Sequence, residues 1–537
     1  MHQRERARIR TARMRLLAAP AALLAASMGA QAATHTVTQN GDAGIGSLRW
    51  AVEQANAAPA GEAQEIRFQL AEAFRQINLT GRLVISHPNV SIQGLATDSL
   101  DSAGRIRIAN PGAAGSGVFE LLAAVTRFAL RDVDLGPAVR TTYRRGGCLD
   151  AETVSPTLSQ ITIERVVFSG CVAQTSSSLA PEGGAVYANG SLLVRDSLFV
   201  DNRVEWLAGS NASLDRAFGG ALAMERGLLT VLDTTFESNI AAALPFGSAP
   251  RAAGGAVAYT QANGFGMSFE RVLFVDNRAQ DVECGSSGDG VCDVQGFGGA
   301  LFSRAASTVL RRSVFARNAA VEGAAIVQIG DAGFEGRLDL DNVVFNGGAA
   351  FRGTVWLGGE ARLRQRNVTY HDIDFDDRSA TSPSSKIPVL YMTGGRVDAS
   401  HSVLIGRINR TAFTQNTPLC LGFGPAAPIQ GNSLAVEPAD PNTGTHSCAF
   451  LGTTRVALAD VGIPETGRWD FEPRGLALEN GAAGAPSALD WSRCSPFDAF
   501  GRARNIDADG DDTARCDVGA IEGLAPSPEL FADGFEP

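Results

Sequence analysis

Three aspartates near the end of the chain have the residue type and spacing of a calcium loop. Asp507, Asp509 and Asp511 alternate with small residues, and hard carboxylate oxygens at positions 1, 3 and 5 can wrap around Ca²⁺. The EF-hand pattern then fails, because position 12 would be Val518 and the glycine stands at position 4 instead of 6. These residues therefore predict either a calcium site or a solvated Asp-Gly turn.

Two aspartates in the middle of the chain could form the carboxylate pair of a glycosidase. Asp196 and Asp233 fall at equivalent corners of successive repeats. Equivalent positions in stacked coils lie about 4.8 Å apart, whereas inverting enzymes separate their carboxyl groups by about 6.5–9.5 Å. The next two repeats place Arg271 and Arg312 at this corner, so the alternative is a solvated ladder of mixed charges. No His or Lys cluster supports acid–base catalysis, and we expect His371 at the surface.

Arginine pairs and two aromatic residues are the candidates for contact with a glycan. Arg144–Arg145 and Arg311–Arg312 could bind an acidic glycan, although arginines on an acidic protein usually form solvated faces. Trp206 and Tyr259 lie near variable segments and could stack on sugar rings. The alternative for both rings is that they cover the hydrophobic core.

The elements that must position these residues come from one repeated pattern. Gly-Gly-Ala-[Val/Leu] is followed by an apolar stretch and then by Phe-x-x-Asn, at a spacing of 35 to 44 residues. Such self-similarity is typical of a repeat protein, whose function usually belongs to a surface rather than to one pocket. The copies begin at Gly183, Gly219, Gly254 and Gly298, and their last residues are Asn202, Asn239, Asn277 and Asn318.

Within a repeat the apolar residues alternate with polar ones, as in β-strands, and three short strands are separated by turns. Three strands per coil, stacked many times, predict an all-β fold, the right-handed parallel β-helix. Gly-Gly then provides a turn that a Cβ would obstruct, and Phe fills the interior. We expect each Asn to adopt a left-handed corner and to hydrogen-bond a neighbouring coil.

The insertions between repeats all leave from the same corner. They comprise residues 203–218, 240–253 and 278–297, whereas only residues 319–322 separate Asn318 from the degenerate start at Gly323. The insertions should therefore lie on one side of the β-helix. Binding residues are concentrated on loops that a rigid scaffold positions, so this side is the predicted binding surface.

The two ends of the chain differ from the repeats. Residues 1–32 read as a secretory signal peptide, with an arginine-rich start, an apolar core and Ala30-Gln31-Ala32 as the cleavage site; Met14 is an alternative start. We assign residues 33–65 to an N-terminal cap, 66–410 to the β-helix, 411–523 to a Cys-containing C-terminal region, and 524–537 to a linker and tail. No later stretch is long and apolar enough for a transmembrane helix.

Eight cysteines in an exported chain indicate disulfides. Pairing of sequence neighbours is the simplest of 105 connectivities. In that scheme Cys148 and Cys171 lie at the two ends of one coil. A separate bridge between Cys284 and Cys292 would stiffen the longest insertion. The neighbouring couples are Cys148/Cys171, Cys284/Cys292, Cys420/Cys448 and Cys494/Cys516.

The formal net charge of −11 makes nucleic acid and anionic lipid unfavourable partners. We expect a monomer that requires no cofactor, with Ca²⁺ as the one ion to consider.

The repeats resemble those of the chlamydial polymorphic outer-membrane proteins, which are β-helical adhesins. The residues that carry this resemblance are the paired motifs of residues 183–318. Residues 36–56 are similar to the N-terminal cap of many bacterial β-helix surface proteins. The tail Phe531–Glu536 resembles short tails on exported proteins of some proteobacteria, which implies sorting or surface retention.

Residues 415–523 are similar to the choice-of-anchor Q module of secreted bacterial β-helix proteins. The resemblance implies a location at the cell surface or outside the cell. The matching residues are Ser487–Asp490, Asp498, Gly501, Arg504, Asp507–Asp511 and Cys516–Glu522.

The sequence thus favours an exported, adhesin-like protein that binds a glycan or another surface through loops on one side. The alternative is a polysaccharide lyase or glycoside hydrolase on the same scaffold, and a structural spacer is a third hypothesis. Fold alone does not decide among them.

Overall fold

The structure is a computed structural model. It describes residues 32–96, 100, 104–112, 116–141, 145–152, 154–155, 159–175, 180–207, 217–243, 252–262, 264–281, 296–350, 353–373, 390–393, 396–400, 402–406, 420–422, 434–436, 454–456, 494–499, 501, 503–504 and 520. The predicted signal peptide and the C-terminal tail lie outside these residues and stay predictions.

The described residues form one α-helix, α1 (Leu48–Ala57), a 3₁₀ turn (Glu72–Phe74) and 39 strands, numbered in chain order. The strands are β1 Ala33–Val37, β2 Gln64–Phe68, β3 Gln76–Asn78, β4 Leu83–Ile85, β5 Asn89–Gln93, β6 Ile106–Asn110, β7 Phe119–Leu121, β8 Arg127–Arg131, β9 Val133–Arg140, β10 Leu149–Ala151, β11 Gln160–Glu164, β12 Val167–Ser169, β13 Cys171–Thr175, β14 Val186–Ala188, β15 Ser191–Arg195, β16 Leu198–Val200, β17 Arg203–Trp206, β18 Ala217–Phe218, β19 Leu222–Met224, β20 Leu229–Glu237, β21 Ile240–Ala243, β22 Ala252–Ala253, β23 Val257–Tyr259, β24 Gly266–Val275, β25 Arg278–Asp281, β26 Gly296–Phe297, β27 Leu301–Ser303, β28 Ser307–Ala319, β29 Ile326–Gly330, β30 Arg337–Ala349, β31 Val355–Gly359, β32 Arg362–Arg366, β33 Thr369–Ile373, β34 Leu390–Met392, β35 Arg396–Ser400, β36 Val403–Gly406, β37 Cys420–Gly422, β38 Leu434–Val436 and β39 Thr454–Val456.

The strands stack in parallel from coil to coil. A typical coil places β23 in an 11-stranded sheet, β24 and β25 in a 25-stranded sheet, and β26 in a three-stranded sheet. Each pairs in register with its equivalent in the next coil, as β23 does with β27 and β24 with β28. The predicted all-β, right-handed parallel β-helix with an N-terminal cap is confirmed.

The interior is filled by one column of aromatic rings. Each ring is buried and stacks on the next with centroids 4.6–5.1 Å apart, close to the strand spacing of about 4.8 Å. The strand register therefore places each aromatic ring on the equivalent ring of the next coil, as the repeated Phe predicted. The column consists of Phe168, Phe199, Phe236, Phe274, Phe315, Phe345 and Tyr370.

The repeated Asn forms a buried ladder between coils. The Nδ2 of Asn239 donates to the Oδ1 of Asn277 and to the carbonyl oxygen of Phe199, each at 2.9 Å. Its own Oδ1 accepts from the backbone N–H of Asn202 at 3.1 Å. Asn318 extends the ladder in the same way. The predicted inter-coil hydrogen bonding is confirmed.

The left-handed corner is not at the Asn but one residue before it. Asp201, Ser238, Asp276 and Arg317 have φ between 51° and 54°. The Asn itself takes an ordinary conformation because its side chain points inward to the ladder. The expectation that Asn adopts the left-handed region at this corner is therefore wrong.

Each of the two positions in Gly-Gly requires glycine, for a different backbone reason. The first glycine has positive φ, 68° at Gly219. The second lies against the next coil, so that a Cβ on Gly220 would stand 2.0 Å from the carbonyl oxygen of Gly255. No side chain is compatible with that approach.

The N-terminal cap consists of β1 and α1. The Ser47 hydroxyl accepts from the N–H of Trp50 at 3.1 Å and thereby caps α1. The helix buries Leu48, Ala51, Val52 and Ala55, and β1 pairs with β2 in the first coil. The open end of the apolar column is therefore covered.

The coil array continues beyond the predicted boundary at residue 410. β37 pairs with β34, β38 with β36, and β39 with β38. Residues of the C-terminal region also dock against the side of the β-helix. The Arg504 guanidinium donates to Asn342 at 2.8 Å, and the N–H of Ser495 donates to Asn367 at 3.0 Å.

Candidate functional site

The stems of the insertions stack at a single corner. β17, β21 and β25 pair in parallel register where the chain leaves the coil. β18, β22 and β26 pair in the same way where it returns. The described ends of the three insertions therefore lie at one corner of the β-helix, while residues 208–216, 244–251 and 282–295 lie outside the described residues.

A small second core fixes the stems. It lies outside the main column and is built almost wholly of alanines, whose size permits strands to approach closely. Because these side chains are buried, the stems belong to the rigid scaffold rather than to the loops. The core contains Ala173, Val204, Trp206, Ala217, Ala241, Ala243, Ala252, Ala279 and Ala320.

The two predicted sugar-stacking rings are buried. Trp206 is 0% exposed in the core between the stems. Tyr259 is 0% exposed in the main core, where its hydroxyl donates to the carbonyl oxygen of Gly227 at 2.9 Å. Neither face can stack on a sugar from solvent in this conformation. Both residues therefore take the alternative role of core packing.

The described residues of the predicted arginine pairs lie on two different parts of the coil. Arg312 is a left-handed corner residue that pairs with Glu270, and Arg311 is exposed beside it. Arg145 is nearly buried on the outside of the 11-stranded sheet, and Arg144 lies outside the described residues. Arg145 is aligned with the return stems, because it forms a β-bridge with Glu182 and Glu182 forms one with Phe218 of β18, whereas Arg311 and Arg312 lie on another part of the coil.

Asp196 and Asp233 occupy one ladder of left-handed corners, with φ of 50° and 47°. Burial, and after it the Asp233 carboxylate, raise the pKa of Asp196. Each carboxylate also has an arginine partner: Arg195 lies 3.0 Å from Asp196, and Arg271 forms two hydrogen bonds to Asp233. The arrangement is that of the predicted mixed-charge ladder.

His371 is 2% exposed, so the expectation of a surface histidine is wrong. It lies in β33, and its Nδ1 is 3.2 Å from the Oδ1 of Asn346 in the preceding coil. The outer face of this strand is covered near the docked C-terminal residues, since Ala520 donates its N–H to Thr369 at 2.9 Å.

The outside of the 11-stranded sheet carries a polar network that the sequence reading missed. The Arg145 guanidinium lies 4.4 Å from the centre of the Tyr187 ring. It also pairs with Glu182 at 3.3 Å and Glu225 at 3.5 Å, and the Tyr187 hydroxyl donates to Glu225 at 2.7 Å. These residues come from three coils. The only feature of the sequence that could have indicated the network is that they occupy outward-facing positions of successive coils.

A second buried pair extends this network. The Arg140 guanidinium lies 2.8 Å from the Asp150 carboxylate, and both side chains are nearly inaccessible. Burial raises the pKa of Asp150 to about 6 despite this partner. Pairs of this kind add local order more than net stability.

The Cys148–Cys171 disulfide is present, with a Cα–Cα distance of 5.6 Å. Cys494 is also disulfide-bonded, and its predicted partner Cys516 lies outside the described residues. Cys284, Cys292 and Cys448 lie outside them too, as does the side chain of Cys420, so the other pairings stay predictions.

The predicted calcium ligands Asp507, Asp509 and Asp511 lie outside the described residues. Within the described part of the chain, no group of three or more His, Cys, Asp or Glu residues could hold a metal ion. Nor do the described residues include a helix with the length and apolar character needed to cross a bilayer.

No protein-family model matches the chain, and no curated protein matches it at a significant level. The chemistry of the described residues must therefore carry any argument about function.

Proposed function

We propose that this chain is an exported, surface-associated β-helix protein that binds a glycan or a partner surface through the loops on its insertion side. The observation that supports this proposal is the common exit of three insertions from stems held in parallel register. A rigid ridge that presents several variable segments side by side can contact an extended ligand at several points.

The residues of the longest insertion suit polar recognition. The segment 282–295 contains serines, aspartates, a glutamate and three glycines between or beside two cysteines. Hydroxyl and carboxylate groups can hydrogen-bond to sugar hydroxyls. A disulfide between Cys284 and Cys292 would reduce the conformational freedom lost on binding.

The alternative is a polysaccharide lyase or hydrolase. In the best candidate acid–base pair, Asp196 and Asp233, each carboxylate forms an ion pair with an arginine. This arrangement does not favour catalysis. We therefore infer a binding role.

One experiment separates the two functions. The purified chain is incubated with a panel of acidic and neutral polysaccharides, and retention, chain length and the absorbance of unsaturated sugars are followed. We expect retention of a ligand whose length does not change. Cleavage of any member would contradict the binding role and establish the enzymatic alternative.

A further inference from the structure

Three arginines form a straight column on the outer face of the 25-stranded sheet. Arg337, Arg362 and Arg396 begin β30, β32 and β35 and are directly paired in register. Their side chains are 45%, 33% and 52% exposed. Adjacent strands lie about 4.8 Å apart, so the column presents one guanidinium per coil along the axis.

A second column beside it supplies the counter-charges. Asp339, Arg364 and Asp398 are paired in register in the same three strands. Arg337 and Arg364 both bond Asp339, while Arg362 and Arg396 both bond Asp398. Each carboxylate is therefore shared by two guanidiniums, and these six side chains, the arginine face, have a net charge of +2.

The Asp339 carboxylate lies beneath its guanidiniums, whereas the Asp398 carboxylate is itself 23% exposed. Asp339 is 3% exposed, whereas its partners Arg337 and Arg364 are 45% and 30% exposed. Such an arrangement holds the planar groups in place while leaving donors at the surface. A fixed guanidinium loses less conformational entropy when it binds an anion.

Charged residues are concentrated in these coils, although the first column also carries the exposed Arg127 six coils earlier. Tracing the same two columns back along the strand register through five preceding coils gives only uncharged residues. These residues are Gln160, Thr162, Ser191, Leu193, Leu228, Thr230, Gly266, Ser268, Ser307 and Val309. The arginine face is therefore a local feature and not a property of the repeat.

The surrounding charges do not cancel the arginine face. On one side, Arg366 and Asp341 form a buried pair at 2.7 Å, and Arg311 is exposed beyond it. At the opposite edge, Glu335 is exposed near Arg337. Glu360, two residues before Arg362, is exposed at the same edge. The nearest groups thus include one further cation and two further anions, which leaves the region with a net charge of +1.

We propose that the arginine face binds an acidic polysaccharide that runs along the β-helix axis. Guanidinium forks fit carboxylate and sulfate oxygens with paired hydrogen bonds. An extended polyanion in this direction would meet a guanidinium at each of these three coils. Duplex DNA is the less favourable polyanion, because it would carry further phosphates over a chain whose net charge is −11.

This site is distinct from the insertion side. The arginine face lies at the start of the long strands, whereas the stems follow the Asn ladder on another part of each coil. The ligand class overlaps with that of the proposed function, but the surface does not. Deleting residues 282–295 should leave binding at the arginine face unchanged, so the two proposals can fail separately.

The test measures binding of the full chain to polygalacturonate, dextran sulfate, uncharged dextran and a short DNA duplex over a range of salt concentrations. The variant combines Arg337→Gln, Arg362→Gln and Arg396→Gln. The matched control combines Arg67→Gln, Arg226→Gln and Arg317→Gln, three exposed arginines that also pair with carboxylates in other coils. Both triples change the net charge equally.

We expect the wild type to bind one or both acidic polysaccharides and to lose affinity as salt increases. The arginine-face variant should bind at least about tenfold more weakly with a shallower salt dependence, and the control should bind like the wild type. Equal losses in both triples, or none in the arginine-face variant, would overturn the site. Preference of the wild type for dextran or for the duplex would overturn the ligand class.

A second variant protects the test against misfolding. Replacing the three arginines by lysine keeps the charges but removes the planar forks. We expect a melting temperature like that of the wild type, affinity between that of the wild type and the glutamine variant, and the wild-type salt dependence. If the lysine variant bound as weakly as the glutamine variant, the positive charges could not be what binds the polyanion.

Discussion

Gly220 shows how closely two coils of this protein approach each other. A Cβ there would lie 2.0 Å from the carbonyl oxygen of Gly255 and 2.5 Å from the backbone nitrogen of Ile240. Both atoms belong to the backbone of the β-helix and cannot rotate away. The second glycine of each Gly-Gly pair is therefore a packing requirement between coils, whereas the first one serves the turn.

Gly220→Ala should destabilise the protein by about 2–4 kcal/mol, because overpacking against backbone forces neighbouring strands apart. The measurement is the midpoint of denaturant unfolding. Gly81→Ala is the matched control, since no atom lies within 4 Å of its added Cβ. Equal midpoints for the two variants would contradict the packing argument.

Glu164 provides a pH-dependent contribution to stability. Burial alone would raise its pKa, but hydrogen bonds from Arg131, Arg195 and Arg165 outweigh burial and lower the pKa to about 2. A carboxyl group with a lowered pKa in the folded state stabilises the fold above its unfolded pKa of about 4.3, and the contribution disappears as the pH falls toward 2.

Glu164→Gln should therefore cost about 1–2 kcal/mol at pH 7, and the difference from the wild type should shrink steadily below about pH 4.5. Unfolding free energies measured from pH 7 to pH 2 test this expectation. Glu53→Gln, on the exposed side of α1, should change stability by less than about 0.5 kcal/mol at every pH. A constant difference for Glu164→Gln would refute the assigned role of the carboxylate.

The role of a residue was predictable from the sequence where the same residue type recurs at equivalent positions of successive coils. The Phe column and the Asn ladder follow from their repetition, since identical residues in stacked coils meet each other. For Trp206 core packing was one of the two predicted roles, but the alanines of neighbouring stems that bury it are marked by no local pattern. Likewise, the left-handed corner before Asn318 is occupied by Arg317, a residue type that gives no signal for this conformation.

At the scale of elements, the C-terminal segment around residues 494–504 acts as a lateral support of the last coils. Its contacts are made to Asn342 and Asn367, two left-handed corner residues. In earlier coils this corner carries aspartate or arginine. Arg504 and Asp498, which carry the resemblance to an anchor module, are both buried here.

Arg504→Ala should weaken the docking of this segment by about 1.5–3 kcal/mol, the worth of a hydrogen bond from a charged group together with the unsatisfied acceptor it leaves. Limited proteolysis should cleave the C-terminal region faster while the β-helix stays intact. Arg317→Gln, an exposed arginine paired with Asp276, is the control and should leave the digestion rate unchanged. Unchanged proteolysis in the Arg504 variant would contradict the docking role.

Elements with a strong repeat were predictable, and those without one were not. The stems and the coils of residues 183–318 follow from the spacing of Gly-Gly and Phe-x-x-Asn, and the cap was predicted from the resemblance of residues 36–56. β37, β38 and β39 are three residues long and carry no Phe-x-x-Asn, so the sequence placed the end of the array too early. Their assignment depends on pairing with preceding strands, which is a long-range property.

At the scale of the whole molecule, one scaffold presents surfaces of different character. The insertion side carries stems aligned from coil to coil, and the arginine face displays ordered cations on an otherwise acidic chain. The outside of the 11-stranded sheet carries the network around Arg145 and Tyr187. A regular interior is therefore compatible with differentiated sides, since inward residues specify the fold and outward residues are free to vary.

The most direct test of the account is a glycan-array measurement on residues 33–537 with and without the segment 282–295. The stems β25 and β26 remain in the deletion variant, so its melting temperature should equal that of the wild type. We predict that the wild type binds a defined set of glycans and that the variant loses those not explained by the arginine face. Binding of the same glycans with the same affinity by both proteins would contradict the assignment of function to the insertion side.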